Sequence, residues 1–293
     1  MSRSKKKPGK IKSLSHGRPP YSKVTRCISS KATKKIICNY HTLQREYAKA
    51  LTIGDDDKAM ALTKKIESQG GIKVYQQASL LGQSKERGGD SSKLLLEWLK
   101  PLTFNSLGPS KNDRPLRMLE IGALSSTNAC STCNLFEVER IDLNSHVEGV
   151  KQQDFMERPF PQSEMDKFDI ISLSLVLNFV PDAIGRGKML ERTLEFLRPP
   201  QFMELKEFYP CIFLVLPAPC VLNSRYLDEA RLKDIMQSLG YNCLKQKFSE
   251  KLAYSLWHLK SPNPISLPYF SNRQLRTGCK RNNFAIILPP KNI

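Results

Sequence analysis

Two positions in this sequence suit the same piece of chemistry, and they stand 20 residues apart. Gly122 closes the run Leu116-Arg117-Met118-Leu119-Glu120-Ile121, and Asp142 closes the run Leu135-Phe136-Glu137-Val138-Glu139-Arg140-Ile141. A glycine at a strand end lets the backbone approach a ligand closely. A carboxylate at the next strand end can accept both hydroxyls of a ribose. Further on, Gln152-Gln153-Asp154-Phe155 sets an acid beside an aromatic. Such a pair can hydrogen-bond an adenine amino group while the ring covers its face. The pyrophosphate of a dinucleotide demands Gly-x-Gly-x-x-Gly at the start of a helix. Gly122-Ala123-Leu124-Ser125-Ser126-Thr127 supplies one glycine of the three, which disfavours NAD or FAD. A nucleoside ligand without a pyrophosphate asks less of this loop.

Residues of this kind do their work at the carboxyl ends of strands in an open α/β sheet, and the chain is built to make one. Short apolar runs at 117–121, 136–141, 168–173, 211–216 and 284–288 read as strands. They alternate with helical stretches near 125–133, 187–197 and 225–239. Alternation of this kind indicates parallel βαβ units, and the near-continuous apolar runs indicate strands covered on both faces. Before them, Tyr40, Leu43, Tyr47 and Leu51, then Ala59, Leu62 and Ile66, recur at helical spacing. Gly54 and Asp55-Asp56-Asp57 separate two short helices, and Gly70-Gly71 ends the second. A third helix is expected from Ile72 to Leu81, and a fourth from Lys93 to Lys100, stopped by Pro101. The expected organisation is a basic arm over 1–36, a helical region and linker over 37–115, and an α/β domain over 116–293.

Charge is segregated. Residues 1–45 hold 13 basic residues and no acid, and residues 251–293 hold 7 and again no acid. Of the total +18, the intervening stretch therefore carries −2. Two cationic ends on a neutral globule favour a polyanionic partner through counterion release. The run from Ser4 to Lys12 also reads as a nuclear address. The longest uncharged apolar stretch, from Cys211 to Leu222, is twelve residues with two prolines, whereas a membrane span needs about 20. Eight cysteines without a secretory signal suggest free thiols in a reducing compartment. Cys130 and Cys133 form a single Cys-x-x-Cys pair, and none of the four histidines stands near another, so no metal site is expected. The pair is expected as thiols on a helix near its packing face.

A longer segment sharpens the reading: Phe168-Asp169-Ile170-Ile171-Ser172-Leu173-Ser174-Leu175-Val176-Leu177-Asn178-Phe179-Val180-Pro181-Asp182. Taken with Glu120, Gly122, Asp142 and Asp154-Phe155, it resembles the seven-stranded, S-adenosylmethionine-dependent methyltransferases over about residues 116–245. The resemblance implies a doubly wound, Rossmann-like sheet preceded by a small helical region, with S-adenosylmethionine as cofactor. It implies that Asp142 binds the ribose, Asp154 and Phe155 the adenine, and Glu120 the glycine loop or, indirectly, the methionine amine. The segment from Asp169 to Asp182 would line the methyl donor, with Ser174 in contact. Ala123 and Ser125 stand where that family usually has further glycines. The runs Leu119-Glu120-Ile121-Gly122-Ala123-Leu124, Ile141-Asp142-Leu143-Asn144, Gln153-Asp154-Phe155 and Arg281-Asn282-Asn283-Phe284 look like one group within it. These are the fungal methyltransferases that modify adenine N1 in 25S ribosomal RNA.

That resemblance implies a monomeric enzyme acting on a large-subunit rRNA precursor in the nucleus and nucleolus. The Asn/Asp-Pro-Pro-aromatic motif of exocyclic-amine methylation is absent; Leu175-Val176-Leu177-Asn178-Phe179 stands in its place. Carbon-5 pyrimidine chemistry needs a nucleophilic cysteine, and neither Cys211 nor Cys220 has a suitable setting. No catalytic residue is evident. Adenine N1 has a free lone pair and needs no base, so positioning alone can serve, worth roughly 7–11 kcal/mol. N1 is hidden in a duplex, so the target must be unpaired or flipped out. Phe179, Tyr209, Tyr226 and Trp257 are the aromatics that could stack on it. Arg273, Arg276, Lys280 and Arg281, with the arm, would hold phosphates. Two other readings stay open: a non-catalytic cofactor sensor holding a protein partner, and a methyltransferase acting on a protein or small molecule.

Overall fold

A computed structural model describes residues 29–82, 90–107, 115–145, 147–199, 205–260 and 269–290. Helix α1 (Ser30–Thr52) begins where the Ser29 hydroxyl caps the Ala32 amide, 3.2 Å away. The boundary expected after residue 36 therefore falls inside this helix. The nuclear-address run and the rest of 1–28 lie outside the described residues. Helix α2 (Asp56–Ser68) is capped by Asp55 on Lys58 N, and α3 (Gly71–Gly82) follows a tight turn. Leu43, Ala50, Ala59 and Leu62 form the small core of this three-helix unit. Helix α4 (Ser92–Leu107) runs through Pro101, which removes one amide donor without ending the element.

The sheet has seven strands: β1 (Leu116–Ile121), β2 (Phe136–Asp142), β3 (Lys151–Gln152), β4 (Ile170–Ser174), β5 (Cys211–Pro217), β6 (Tyr241–Phe248) and β7 (Leu252–Leu259). Their order is β3-β2-β1-β4-β5-β7-β6, with β1 to β5 parallel and β7 antiparallel to both β5 and β6. Helices α5 (Ala183–Phe196), α6 (Ala218–Leu222) and α7 (Glu229–Ser238) complete the framework. Strand alternation sends Leu119, Ile121, Ile171, Leu173, Ile212 and Leu214 to one face, packed with residues of α5 and α7. Leu116, Met118, Ile170, Phe213 and Val215 face the other way, against Leu95, Leu96 and Leu99 of α4. The sheet is thus covered on both faces, and α4 packs with the sheet rather than with the three-helix unit.

Two elements expected from the sequence are replaced. Residues 125–133 form turns, not a helix. Ser, Thr and Asn dominate there, and their side chains take the backbone donors. The Ser125 hydroxyl accepts from Thr127 N at 3.0 Å, and Asn128 Oδ1 accepts from Ser131 N at 2.9 Å. Residues 284–288 are buried but form no ladder. They lie as an extended segment along α5, where Ile287 N donates to the Ala183 carbonyl. Gly187 makes this possible, because a Cβ there would come within 1.9 Å of the Ile287 carbonyl oxygen. The segment is also fastened by buried Arg186, whose guanidinium donates to the Ala285 carbonyl at 2.8 Å and spans to Val180 at 3.1 Å.

Candidate functional site

Strand register assembles the site. Ile121 pairs with Ile141 on one side and Leu173 on the other, and Asp142 pairs with Gln152. The residues just past these pairs, Gly122, Asp142, Gln153 and Ser174, therefore share the carboxyl edge of the sheet. The point where strand order reverses, between β1 and β4, lies among them. The Gly122 amide donates to the Ile141 carbonyl at 2.8 Å, and the Gln153 amide to the Asp142 carbonyl at 2.9 Å.

Gly122 has φ +74°, and a Cβ on it would meet Val176 Cγ2 at 2.5 Å. Both the conformation and the space exclude a side chain here. Across the switch point, Leu175 has φ 59°, which is costly for a residue with a branched side chain. Its amide is held by the Val215 carbonyl at 2.9 Å. Left-handed backbone thus lies on both sides of the crevice, directly after β1 and directly after β4.

Asp142 is half-buried. Burial pushes its carboxyl above the usual carboxylate range, opposed by the backbone amides of Asn144 and Leu143. The Asn144 amide reaches Oδ1 at 2.9 Å. Leu143 beside it is 56% exposed, an apolar surface at the crevice mouth. Glu120 is raised in the same way by burial, with the Asn128 amide and the Arg140 charge pulling the other way. Asn128 Nδ2 donates to both Glu120 oxygens, at 2.7 and 2.8 Å. Glu120 therefore organises the loop after β1 through Asn128.

The start of α4 closes this edge. Asp90 accepts from the Ala129 amide at 2.6 Å and from the Ser92 hydroxyl at 2.6 Å. Ser91 Oγ lies 2.8 Å from Ser174 Oγ. Asp90, Ser91 and Asn128 were not among the residues expected at the site. The Ser91–Ser92 pair is recognisable in the sequence only as a helix cap. Its reach to Ser174 spans 83 residues and is a tertiary fact.

Other expectations move. Asp169 leaves the site: it stands at the opposite end of β4 from Ser174, is 2% exposed, and is bridged to Arg198 at 2.6 Å. Asp154 stays at the edge and accepts from Met156 N at 2.7 Å. The Phe155 ring does not present a face there, because it is 2% exposed and packs on Phe196 with ring centroids 5.2 Å apart. Tyr209 and Trp257 are likewise core residues, at 1% and 2% exposure, and cannot stack on a ligand base. Phe179 is half-buried just beyond β4, with the Tyr75 ring edge-on at 6.0 Å. Asn178 beside it has a buried Oδ1 without a hydrogen-bond partner. Burial pushes the Cys211 thiol up and the Cys220 thiol up to about 12, far from thiolate chemistry. Cys130 is buried in the turn after β1, not on a helix, and its thiol is raised too. Arg276 is spent inside the fold: its guanidinium donates to the carbonyls of Ser224, Leu222, Val221 and Leu227.

A parallel core in the order 3-2-1-4-5-7-6 with one reversed strand, and a carboxylate ending β2 beside a glycine ending β1, define a Rossmann-like fold of the class I methyltransferase type. The chain belongs to the family described as 25S rRNA (adenine(2142)-N(1))-methyltransferase, Bmt2, whose model matches residues 60–286. A 25S rRNA (adenine(2142)-N(1))-methyltransferase of Saccharomyces cerevisiae is 44% identical over 228 residues, which is 78% of this chain and 63% of the yeast protein. A 25S rRNA adenine-N(1) methyltransferase of Schizosaccharomyces pombe is 40% identical over 255 residues, 86% of this chain and 90% of that protein. Among solved structures, the 16S rRNA methylase RmtB is a distant likeness, with a TM-score of 0.42 and 11% identity over 79% of this chain and 99% of that one.

Proposed function

We propose that this protein is an S-adenosylmethionine-dependent methyltransferase acting on N1 of an adenine in large-subunit rRNA, as a monomer, in the nucleus and nucleolus during ribosome biogenesis. The observation that carries the reading is the relationship, over 78% and 86% of the chain, to two proteins named for that reaction. The residues at the sheet edge suit the cofactor. The crevice at Gly122 has room only for backbone, Asp142 keeps a half-buried carboxylate tied on one oxygen to a backbone amide, and no pyrophosphate loop is needed.

Asp142 would accept the ribose hydroxyls, and Asp154 the adenine amino group. The Phe155 contribution is its backbone, since its ring is in the core. Glu120 would act through Asn128 on the loop that receives the methionine end. Ser174, already paired with Ser91, would line the far wall. Bound S-adenosylmethionine supplies a methyl group made electrophilic by its sulfonium. The acceptor N1 already carries a lone pair, so this chain has to orient the base and exclude water rather than remove a proton. Asn178 suits the first task. A buried carbonyl oxygen without a partner costs about 1–3 kcal/mol, and the exocyclic amine next to N1 is a donor that would relieve it. Phe179 would cover the base and the positive charge it acquires.

Incubating the purified protein with methyl-labelled donor and rRNA from cells that lack it should put label on adenine. Label on protein alone, or no transfer, contradicts the reading. No observation favours the sensor or the protein-directed enzyme over it.

A further inference from the structure

The three-helix unit contains a groove that the reaction at the sheet edge does not use. It comprises two adjoining cavities of about 540 and 360 Å³ between α1 and the start of α3, which share Tyr40, Ile66 and Gly71. The first is also lined by Gln44, Tyr47 and Lys73, the second by Lys35. Aromatic faces, a side-chain amide and flanking ammonium groups are the set that grips an unpaired nucleotide: a surface to stack on, a donor and acceptor for a base edge, and charge for phosphate.

Position supports the same occupant. The groove extends along α1 as far as Ala32 and Lys35 on its first turns. That is where the sequence stretch 1–28, with its 9 basic residues and no acid, joins the helix. A polyanion attracted by that stretch is held close in sequence to the end of α1 that lines the groove. At the inner side, Tyr40 stacks on Tyr75 with centroids 4.6 Å apart and planes at 19°, and Tyr75 meets Phe179 edge-on at 6.0 Å. Three rings thus lead from the groove to Phe179, in the short turn beyond β4. The acids near the groove are few: Glu67 lines it, while Asp55, Asp56 and Asp57 stand at the other end of α2.

We infer that the groove between α1 and α3 binds an unpaired base of the RNA flanking the methylated adenine, so that one strand runs from Phe179 across Tyr75 and Tyr40 into it. This rests on the rRNA reading above and adds to it a second nucleotide site, remote from the cofactor. It makes the three-helix unit part of substrate selection: a target base without an unpaired neighbour at the right spacing cannot engage the groove.

The test uses the full chain with a fluorescent large-subunit rRNA fragment that the wild-type protein methylates. Lys73→Glu, at an exposed position, and Tyr40→Leu should each weaken RNA binding in anisotropy about tenfold and raise the KM for RNA alike. Donor affinity by calorimetry and the melting temperature of Lys73→Glu should stay unchanged. Abasic substitution of a flanking nucleotide should weaken wild-type binding while leaving Tyr40→Leu no weaker than before. If Lys73→Glu binds and methylates RNA as the wild type does, the groove is not a nucleotide site, whatever else covers it, while the rRNA reading survives. If the wild type labels no RNA, that reading itself falls.

Discussion

Asp142 carries a cost that its proposed role explains. Burial raises its carboxyl, so the folded chain holds the proton more tightly than the unfolded chain does. Above that raised pKa the ionised group opposes folding. Asp142→Asn should therefore leave the melting temperature unchanged or higher, while losing a charged acceptor worth about 1.5–3 kcal/mol. Calorimetry should show donor affinity roughly ten- to a hundredfold weaker; equal affinity would remove the ribose assignment. The same logic fixes the pH dependence. Binding needs the carboxylate, so wild-type affinity should fall about tenfold per unit as pH drops through the raised pKa, at higher pH than an ordinary aspartate would give. Asp142→Asn should show a flatter profile. Gly122→Ala should also weaken donor binding, and adding Val176→Ala should restore only part, because the 2.5 Å clash is relieved while the φ of +74° is not. Gly122 and Asp142 were legible because each ends an apolar run, so strand register alone sets them side by side. Asp169 was misplaced for a related reason. A motif is read as one unit, but a strand's two ends stand on opposite edges of the sheet, and Asp169 belongs to the edge with Arg198. Asn128, Asp90 and Ser91 were hidden because their partners come from other elements.

At the level of elements, the sequence shows strands buried on both faces and amphipathic helices, and it conceals elements whose pattern depends on the tertiary setting. β6 is an edge strand, with Lys245, Gln246 and Lys247 exposed, a charged border that resists edge pairing and blurs the strand signal. The apolar run 284–288 signals burial correctly but not its mode, since its backbone bonds to the α5 start and, through one isolated bridge, to Phe270, without joining the sheet. That extended segment depends on Arg186 and on Gly187, while Arg276 ties down the turn between α6 and α7. Arg276→Met would strip donors from four backbone carbonyls, a destabilisation of about 1–3 kcal/mol, seen as a lower Tm. The salt dependence of RNA binding should not change, because that guanidinium faces inward. A reduced salt slope in Arg276→Met would instead return it to the phosphate surface. Gly187→Ala should be worse for stability, since the Ile287 carbonyl has nowhere to move without leaving α5.

For the whole molecule, charge segregation and architecture combine into one device: a nearly neutral α/β globule with a crevice at the carboxyl edge of its sheet, a three-helix unit beside it, and a strongly basic N-terminal stretch. Because Ser29 caps α1, the stretch to remove is 1–28, not 1–36. Its deletion should keep donor affinity, weaken RNA binding and lower the salt slope by about 0.7 for each phosphate that the stretch neutralises. An unaltered slope would mean that this stretch does not touch phosphate. The overall fold was legible because βαβ alternation is periodic. The docking of α4 and of the three-helix unit was not, because the contacts that set it, Leu95 and Leu99 against the sheet, Ser91 with Ser174 and Tyr75 with Phe179, join residues far apart in the sequence.

The most direct measurement is mass-spectrometric nucleoside analysis of large-subunit rRNA from cells with and without this gene product. The proposed reaction requires N1-methyladenosine to fall when the protein is removed and to return with the wild type but not with a donor-binding variant such as Asp142→Ala. An unchanged N1-methyladenosine content would contradict it.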